Sequence, residues 1–391
     1  MQQKFIALVA AVVLLAAVAP AAVAGAPGAP PSAQFADQQT PHSAALAQES
    51  LTCEYPLELE DGTGETVELE EEPESVVALQ PSDAQVMFEI GAEDKLDGMP
   101  VGEYTEYLDA DEELDISDDS GVEPVTEEVI DREPDVVLAA DALAGDDVVD
   151  QLRDAGLTVY VFQTEDSLDG VAENIRLTGE IVGECEGAEA SIDWMDERLE
   201  IIENAVEDED RPLAYYPMGG GFTPGAGTFQ DEILTTAGVE NLGAEAGLEG
   251  WGEISEETVI EEDPDWIIYG ESWDEPPVGE AVMGTTAYEN EQFVTVHDNF
   301  MSQPGPLVVY AIEDIAQEVH PDAYEDAAAE LEDEVGDDAE TESDDSDADD
   351  GAADDTDDAV ETDDAGSESI PGFGAPVAII GALLAAFLLR R

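Results

Sequence analysis

The sequence predicts an α/β protein made of two Rossmann-like lobes joined by a single long helix. Two observations carry that prediction. The first is that short apolar runs rich in Val, Ile and Tyr alternate with longer helical patterns, and runs that are apolar throughout suit parallel strands buried on both faces. The strands expected are Ser75 to Leu79, Asp135 to Ala139, Thr158 to Phe162, Leu213 to Tyr216, Asp265 to Tyr269 and Phe293 to Val296. The second is an internal echo. Glu127 stands seven residues before Pro134-Asp135, and Glu257 stands seven before Pro264-Asp265. Gly91-Ala92-Glu93-Asp94-Lys95-Leu96 is echoed, in the same order along the chain, by Gly238-Val239-Glu240-Asn241-Leu242. In each half a helix stops at Pro, which forces the preceding residue out of helical geometry, and a buried strand follows.

Along the chain, the apolar run Phe5 to Ala19 after Lys4 reads as a secretory signal peptide over residues 1–24, too short to span a bilayer. Residues 25–50, rich in Ala, Pro and Gln, read as a linker. Residues 51–187 form the expected N-terminal lobe and 211–329 the C-terminal lobe. Between them, residues 188–210 read as one connecting helix that Pro212 stops, with Trp194, Met195, Leu199 and Ile202 on an apolar stripe. Residues 330–369 are strongly acidic, without a basic or aromatic residue, and read as a solvated, disordered stalk. Residues 370–391 join Pro371-Gly372-Phe373-Gly374 to an apolar run and Arg390-Arg391, which reads by itself as a short membrane anchor.

Charge narrows the functions. One hundred acidic residues against nine Lys and Arg give a net charge of −91. Nucleic acid is excluded as a partner, because phosphate binding needs clustered cations. Molar salt shortens the Debye length to about 3 Å and removes most of the self-repulsion, so the acids read as a surface adapted to brine. Single carboxylates in such a surface carry no catalytic signal. The two cysteines, Cys53 and Cys185, point to a disulfide in a secreted chain, with two free buried thiols as the alternative. His297 and His320 have no ligand spacing between them, so no metal site is expected. There is no phosphate loop and no Ser-His-Asp or Cys-His pattern, so no enzyme is expected.

From Thr66 to about Tyr324 the chain resembles the surface and periplasmic binding proteins of the vitamin B12, ferric-siderophore and haem type. The resemblance rests on Pro73-Glu74-Ser75-Val76-Val77-Ala78-Leu79-Gln80-Pro81-Ser82, on Ile90-Gly91-Ala92, on both Pro-Asp strands and on Ala237-Gly238-Val239-Glu240-Asn241. It implies a ligand cleft between the lobes and delivery to an ABC permease and ATPase, by a monomer that needs no cofactor of its own. It also implies that Glu127 and Glu257, one at the tip of each lobe, dock on the permease. The cleft positions implied are Pro81, Ser82, Tyr104, Tyr107, Phe222, Thr223, Trp251 and Trp273, with a corrinoid (cobalamin-like), ferric siderophore or haem as ligand. Asp141 departs from the B12 pattern, where an aromatic is expected. No Lys or Arg falls in these loops, which disfavours anionic chelates. The C-terminal order of acidic stretch, Pro-Gly-Phe, apolar run and arginines resembles a haloarchaeal sorting signal, implying processing by an archaeosortase-like enzyme and tethering on the outer face of the membrane. A receptor or adhesion module with the same fold and no permease is the alternative.

Overall fold

The computed structural model describes residue 51, residues 53–163 and residues 167–342, with side chains as far as residue 331. The signal, linker and sorting segments lie outside the described residues, as does the acidic stretch beyond Glu342. Among the described residues no helix is long and apolar enough to cross a membrane.

The chain opens with an antiparallel pair, β1 (Leu57–Glu60) and β2 (Thr66–Leu69). The N-terminal lobe then runs β3 (Val76–Ala78), α1 (Pro81–Glu89), β4 (Leu96–Gly98), α2 (Thr126–Arg132), β5 (Val136–Ala139), α3 (Asp147–Asp154), β6 (Val159–Val161) and α4 (Leu168–Val182). Helix α5 (Cys185–Val206) leads out of it. The C-terminal lobe runs β7 (Leu213–Tyr215), β8 (Phe222–Pro224), α6 (Phe229–Thr236), β9 (Glu240–Asn241), α7 (Leu242–Glu245), β10 (Trp251–Glu253), α8 (Glu256–Glu262) and β11 (Trp266–Gly270). It closes with α9 (Thr286–Glu289), β12 (Phe293–Val296), α10 (Asp298–Ser302), α11 (Val308–Val319) and α12 (Pro321–Glu342).

Each lobe holds one parallel four-stranded sheet, ordered β4-β3-β5-β6 in the first and β9-β7-β11-β12 in the second. Counted within its lobe, each sheet has the same order: second, first, third, fourth strand. All six strands expected from the apolar runs are present. Val76, Val77, Val136, Val137, Ile267 and Ile268 are fully buried, as strands covered by helices on both faces require. The sequence reading missed β1, β2, β4 and β9, the last two only three and two residues long, and read β8 and β10 as loop.

The echoed segments occupy equivalent places. Helices α1 and α6 both end in a Schellman turn, with Gly91 at φ +75° and Gly238 at φ +86°. Ala92 N donates to Met87 O and Val239 N to Leu234 O, closing the same six-residue ring. Helices α2 and α8 both end on a left-handed residue, Glu133 and Asp263, each with φ of 50°, directly before the proline. The pre-proline residue does leave right-handed geometry, but into the left-handed region rather than the extended one. Asp135 and Asp265 then tie the first and third strands of their sheets, accepting from the backbone N–H of Ser75 and of Leu213, both at 3.1 Å.

Helix α5 has 22 residues and spans about 33 Å at 1.5 Å per residue. It begins three residues before the expected Ala188 and ends at Val206, before the acidic turn Glu207 to Asp210 rather than at Pro212. Ala188, Ser191, Met195, Arg198, Ile202 and Ala205 form its buried stripe, packed among α4, α11 and α12. Cys53 and Cys185 are disulfide-bonded with Cα atoms 6.0 Å apart, which pins the start of the described chain to the first turn of α5. Helix α12 continues through Glu342, so residues 330–342, read as stalk, are helical; Ala and Glu are strong helix formers.

Candidate functional site

In open parallel sheets ligands gather outside the carboxyl ends of the strands, where the strand order reverses. Here that point lies between β3 and β5 in one lobe and between β7 and β11 in the other. In the N-terminal lobe the buried Asp83 clamps it: one carboxylate oxygen accepts from Gln80 N at 3.2 Å and from Ala140 N at 3.1 Å, joining the loops that follow β3 and β5. Burial raises the Asp83 carboxyl to about 7, against the two backbone N–H groups that lower it.

The carboxyl ends of both sheets meet at a seam. Gln85 of α1 donates from Nε2 to the Tyr107 hydroxyl at 2.7 Å and accepts from Leu307 N at 3.1 Å. The Tyr107 hydroxyl donates to Gln303 Oε1 at 2.6 Å, and the Tyr107 ring stands edge-on to His297 and Phe300. Burial pushes the Tyr107 phenol up to about 12, with Gln85 opposing and Glu89 adding. Its oxygen is thus fully engaged between the lobes.

The eight positions implied by resemblance separate into two groups. Tyr104, Phe222, Trp251 and Trp273 are exposed, at 39, 46, 48 and 46%. Pro81, Ser82, Thr223 and Tyr107 are buried or half-buried in the frame. Ser82 lines a void of about 10 Å³ with Asp83, Phe162 and Pro304, and the Thr223 hydroxyl donates to Tyr216 O at 2.9 Å.

The antiparallel pair β8 and β10 explains the exposed wall of the C-terminal lobe. Its register sets Phe222 opposite Glu253 and Trp251 opposite Pro224, so Phe222 and Trp251 share one face, while Thr223 turns to the buried face. Before β8 lie Gly219, Gly220 and Gly221, all with positive φ. The Trp273 ring packs beside that turn, its edge 3.5 Å from where a Cβ at Gly219 would lie, an ordinary van der Waals contact. Met218, exposed at 44%, stands at the same turn. Nothing in its sequence neighbourhood marked it, because a single Met before a glycine run has no periodic signal. Trp273 itself is carried by a loop that Asp298 holds, accepting from Ser272 N at 2.9 Å and Ser272 Oγ at 3.0 Å.

The Lys and Arg residues of the described chain are all committed elsewhere. Lys95 pairs with Glu72, Arg153 with Asp61, Arg176 with Glu173 and Arg198 with Glu313. Arg132 donates to backbone carbonyls at Asp97 and Glu113, and Arg211 to Thr235 O. None lies on the aromatic wall. No group of three His, Cys, Asp or Glu that could hold a metal occurs among the described residues.

An open groove of about 500 Å³ lies at the other end of the C-terminal sheet, lined by Arg211, Pro212, Asp265, Trp266, Gln292 and His320 among others. There His320 Nε2 lies 3.0 Å from Gly238 O, just past the C-terminal end of α6. Glu127 and Glu257 line neither feature, although Glu257 follows Trp251 by only six residues. Each is the exposed second residue of its short helix, α2 or α8, above a buried Val129 or Val259.

Comparison with known proteins agrees with this geometry. Residues 76–298 match the family described as periplasmic binding protein. A cobalamin-binding protein of Halobacterium salinarum is 32% identical over 329 residues, covering 81% of this chain and 85% of its own length. An ABC transporter substrate-binding lipoprotein of Bacillus subtilis, YvrC, is 25% identical over 280 residues, covering 69% and 87%. Among solved structures, the heme-binding protein RhuT of Roseiflexus superposes with a TM-score of 0.57 at 20% identity, over 64% of this chain and 99% of that one. The molybdate-binding MolA of Haemophilus influenzae gives 0.59 at 16%, over 69% and 93%. At such identities these structures speak to the fold alone: two lobes of parallel sheet flanked by helices. With the repeated sheets, the bridging helix and the matched span together, the chain belongs to the periplasmic binding protein family.

Proposed function

We propose that the protein captures a corrinoid of the cobalamin class outside the cell and hands it to an ABC permease driven by a cytoplasmic ATPase. The observation that carries this reading is the exposed wall of Phe222, Trp251, Trp273 and Met218, with Tyr104 on the opposite lobe and every described Lys and Arg tied up elsewhere. Aromatic faces suit a broad, flat ring, and a cation-free mouth set in a strongly acidic surface rejects anionic siderophores and the propionates of haem. Tyrosinate ligation of haem iron is disfavoured at Tyr107, whose oxygen is shared between Gln85 and Gln303 and whose phenol resists ionisation. The relative from Halobacterium salinarum, named as cobalamin-binding, supports the same choice.

In this reading Glu127 and Glu257 dock the two lobes on the two halves of the permease, matching one acid to each subunit. The signal peptide sends the chain out, and the Pro-Gly-Phe segment tethers it to the outer face after processing. Titrating the purified protein in molar KCl with cyanocobalamin, haemin and a ferrioxamine tests the ligand class. Saturable binding of cyanocobalamin alone is the expected result. Tight binding of haemin or ferrioxamine without cyanocobalamin overturns the reading.

A further inference from the structure

Helix α5 is the covalent bridge between the lobes, but a second connection lies at the mouth. Helix α10 belongs to the C-terminal lobe, directly after β12, yet its side chains reach both lobes. Asn299 Nδ2 donates to Glu103 O at 3.1 Å, and Gln303 Nε2 donates to Tyr104 O at 2.9 Å. Gln303 Oε1 takes the Tyr107 hydroxyl at 2.6 Å. Both amides are buried, at 8 and 7% exposure. On its other side, Asp298 accepts both the backbone N–H and the hydroxyl of Ser272, next to Trp273. Met301 O accepts from the buried Gln230 Nε2 at 3.1 Å, fixing α10 to α6.

From this arrangement we infer that α10 sets the spacing of the two ligand-facing walls, with Asn299, Gln303 and Asp298 as positioning residues that tie the Tyr104 loop and the Trp273 loop to one rigid piece. Buried amide hydrogen bonds are modest singly but costly to leave unmade. Three amide bonds from Asn299 and the C-cap Gln303 on one side and two bonds to the Asp298 carboxylate on the other hold the loops as a unit, so loosening either side frees the other, as reciprocal coupling requires. The mouth is thereby preformed before ligand arrives, which limits the ordering cost of binding. That consequence rests on the proposed location of the ligand; the coupling of the loops does not.

Hydrogen exchange of the ligand-free protein in molar KCl tests the coupling at peptides covering 102–108 and 270–274. The variant Asn299→Ala/Gln303→Ala is expected to speed exchange in both windows by ~10-fold. Ser272→Ala, at an exposed residue, is expected to speed exchange in 102–108 as well as 270–274. Tyr324→Phe, which removes a 2.9 Å bond to Glu313 away from the seam, is the control and is expected to leave both windows unchanged. Acceleration confined to the window on the mutated side, or equal acceleration in the control, overturns the inference. Cyanocobalamin affinity is expected to fall ~10-fold in Asn299→Ala/Gln303→Ala and in Ser272→Ala and to stay unchanged in Tyr324→Phe. Failure of the unaltered protein to bind cyanocobalamin refutes the ligand reading, while the exchange result still decides the role of α10.

Discussion

Arg198 of the bridging helix holds Glu313 of α11 through two hydrogen bonds from one guanidinium nitrogen, at 2.6 and 2.7 Å, in a nearly dry site. The guanidinium lies over Trp194 and Tyr310, 5.0 and 5.2 Å from their rings, and the Tyr324 hydroxyl donates to the same carboxylate at 2.9 Å. Burial raises the Glu313 carboxyl, with Arg198 opposing that shift. The pair fixes the rotation of α5 relative to the C-terminal lobe. Arg198→Met strands a buried charge and is expected to destabilise the protein by about 3–5 kcal/mol, and adding Glu313→Leu recovers most of the loss. Thermal melts in molar KCl check both.

Asp83 gives the fold a pH dependence with a definite sign. Burial raises its carboxyl from the usual value near 4 to about 7, so between those values the folded chain keeps a proton that the unfolded chain has released. Stability from this group is full below about pH 4 and is lost as pH rises through 7, by at most on the order of 4 kcal/mol. Asp83→Asn keeps an oxygen for Gln80 N and Ala140 N and removes the charge. It is expected to melt with the unaltered protein at pH 4 and above it at pH 8.

The disulfide joins positions 132 residues apart. In the chain-entropy model closing so long a loop is worth roughly 5 kcal/mol. Reduction, or Cys53→Ser with Cys185→Ser, is expected to lower the melting temperature while leaving the ligand-free exchange of residues 270–274 unchanged, because the bond joins the segment before β1 to the first turn of α5 whereas Trp273 belongs to the C-terminal lobe.

Glu127→Arg and Glu257→Arg separate capture from delivery. Both positions are exposed on short helices, and neither side chain belongs to the aromatic wall, so ligand affinity is expected to stay within about twofold. Uptake through the reconstituted permease is expected to fall more than ~10-fold for each, since reversed charge at a docking pair acts on assembly. Normal uptake by the double variant contradicts the docking role.

The sequence made the frame legible because the frame is periodic and repeated. Val76-Val77 and Ile267-Ile268 announce buried parallel strands, and the seven-residue step from Glu127 and from Glu257 to Pro-Asp marks the same turn twice. Very short strands such as Glu240–Asn241 gave no run long enough to detect. Of the proposed mouth, only the aromatic positions stood out in the sequence. Tyr104, Phe222, Trp251 and Trp273 are exposed aromatics, but Tyr107 looks identical to Tyr104 in sequence and is instead spent on Gln85 and Gln303. That distinction depends in part on Gln303, nearly two hundred positions away. Asn299, Gln303 and Asp298 carry no motif at all, since polar residues near a strand end are common and only their placement between the lobes gives them a role.

The central claim is that ligand lies at the carboxyl ends of the strands, between Tyr104 of one lobe and Trp273 of the other. A crystal structure of the protein grown with cyanocobalamin in high salt tests it most directly. The corrin ring is expected against Trp251, Trp273 and Tyr104. A corrin lodged instead in the groove beside Arg211 and His320, at the amino ends of the C-terminal strands, contradicts it.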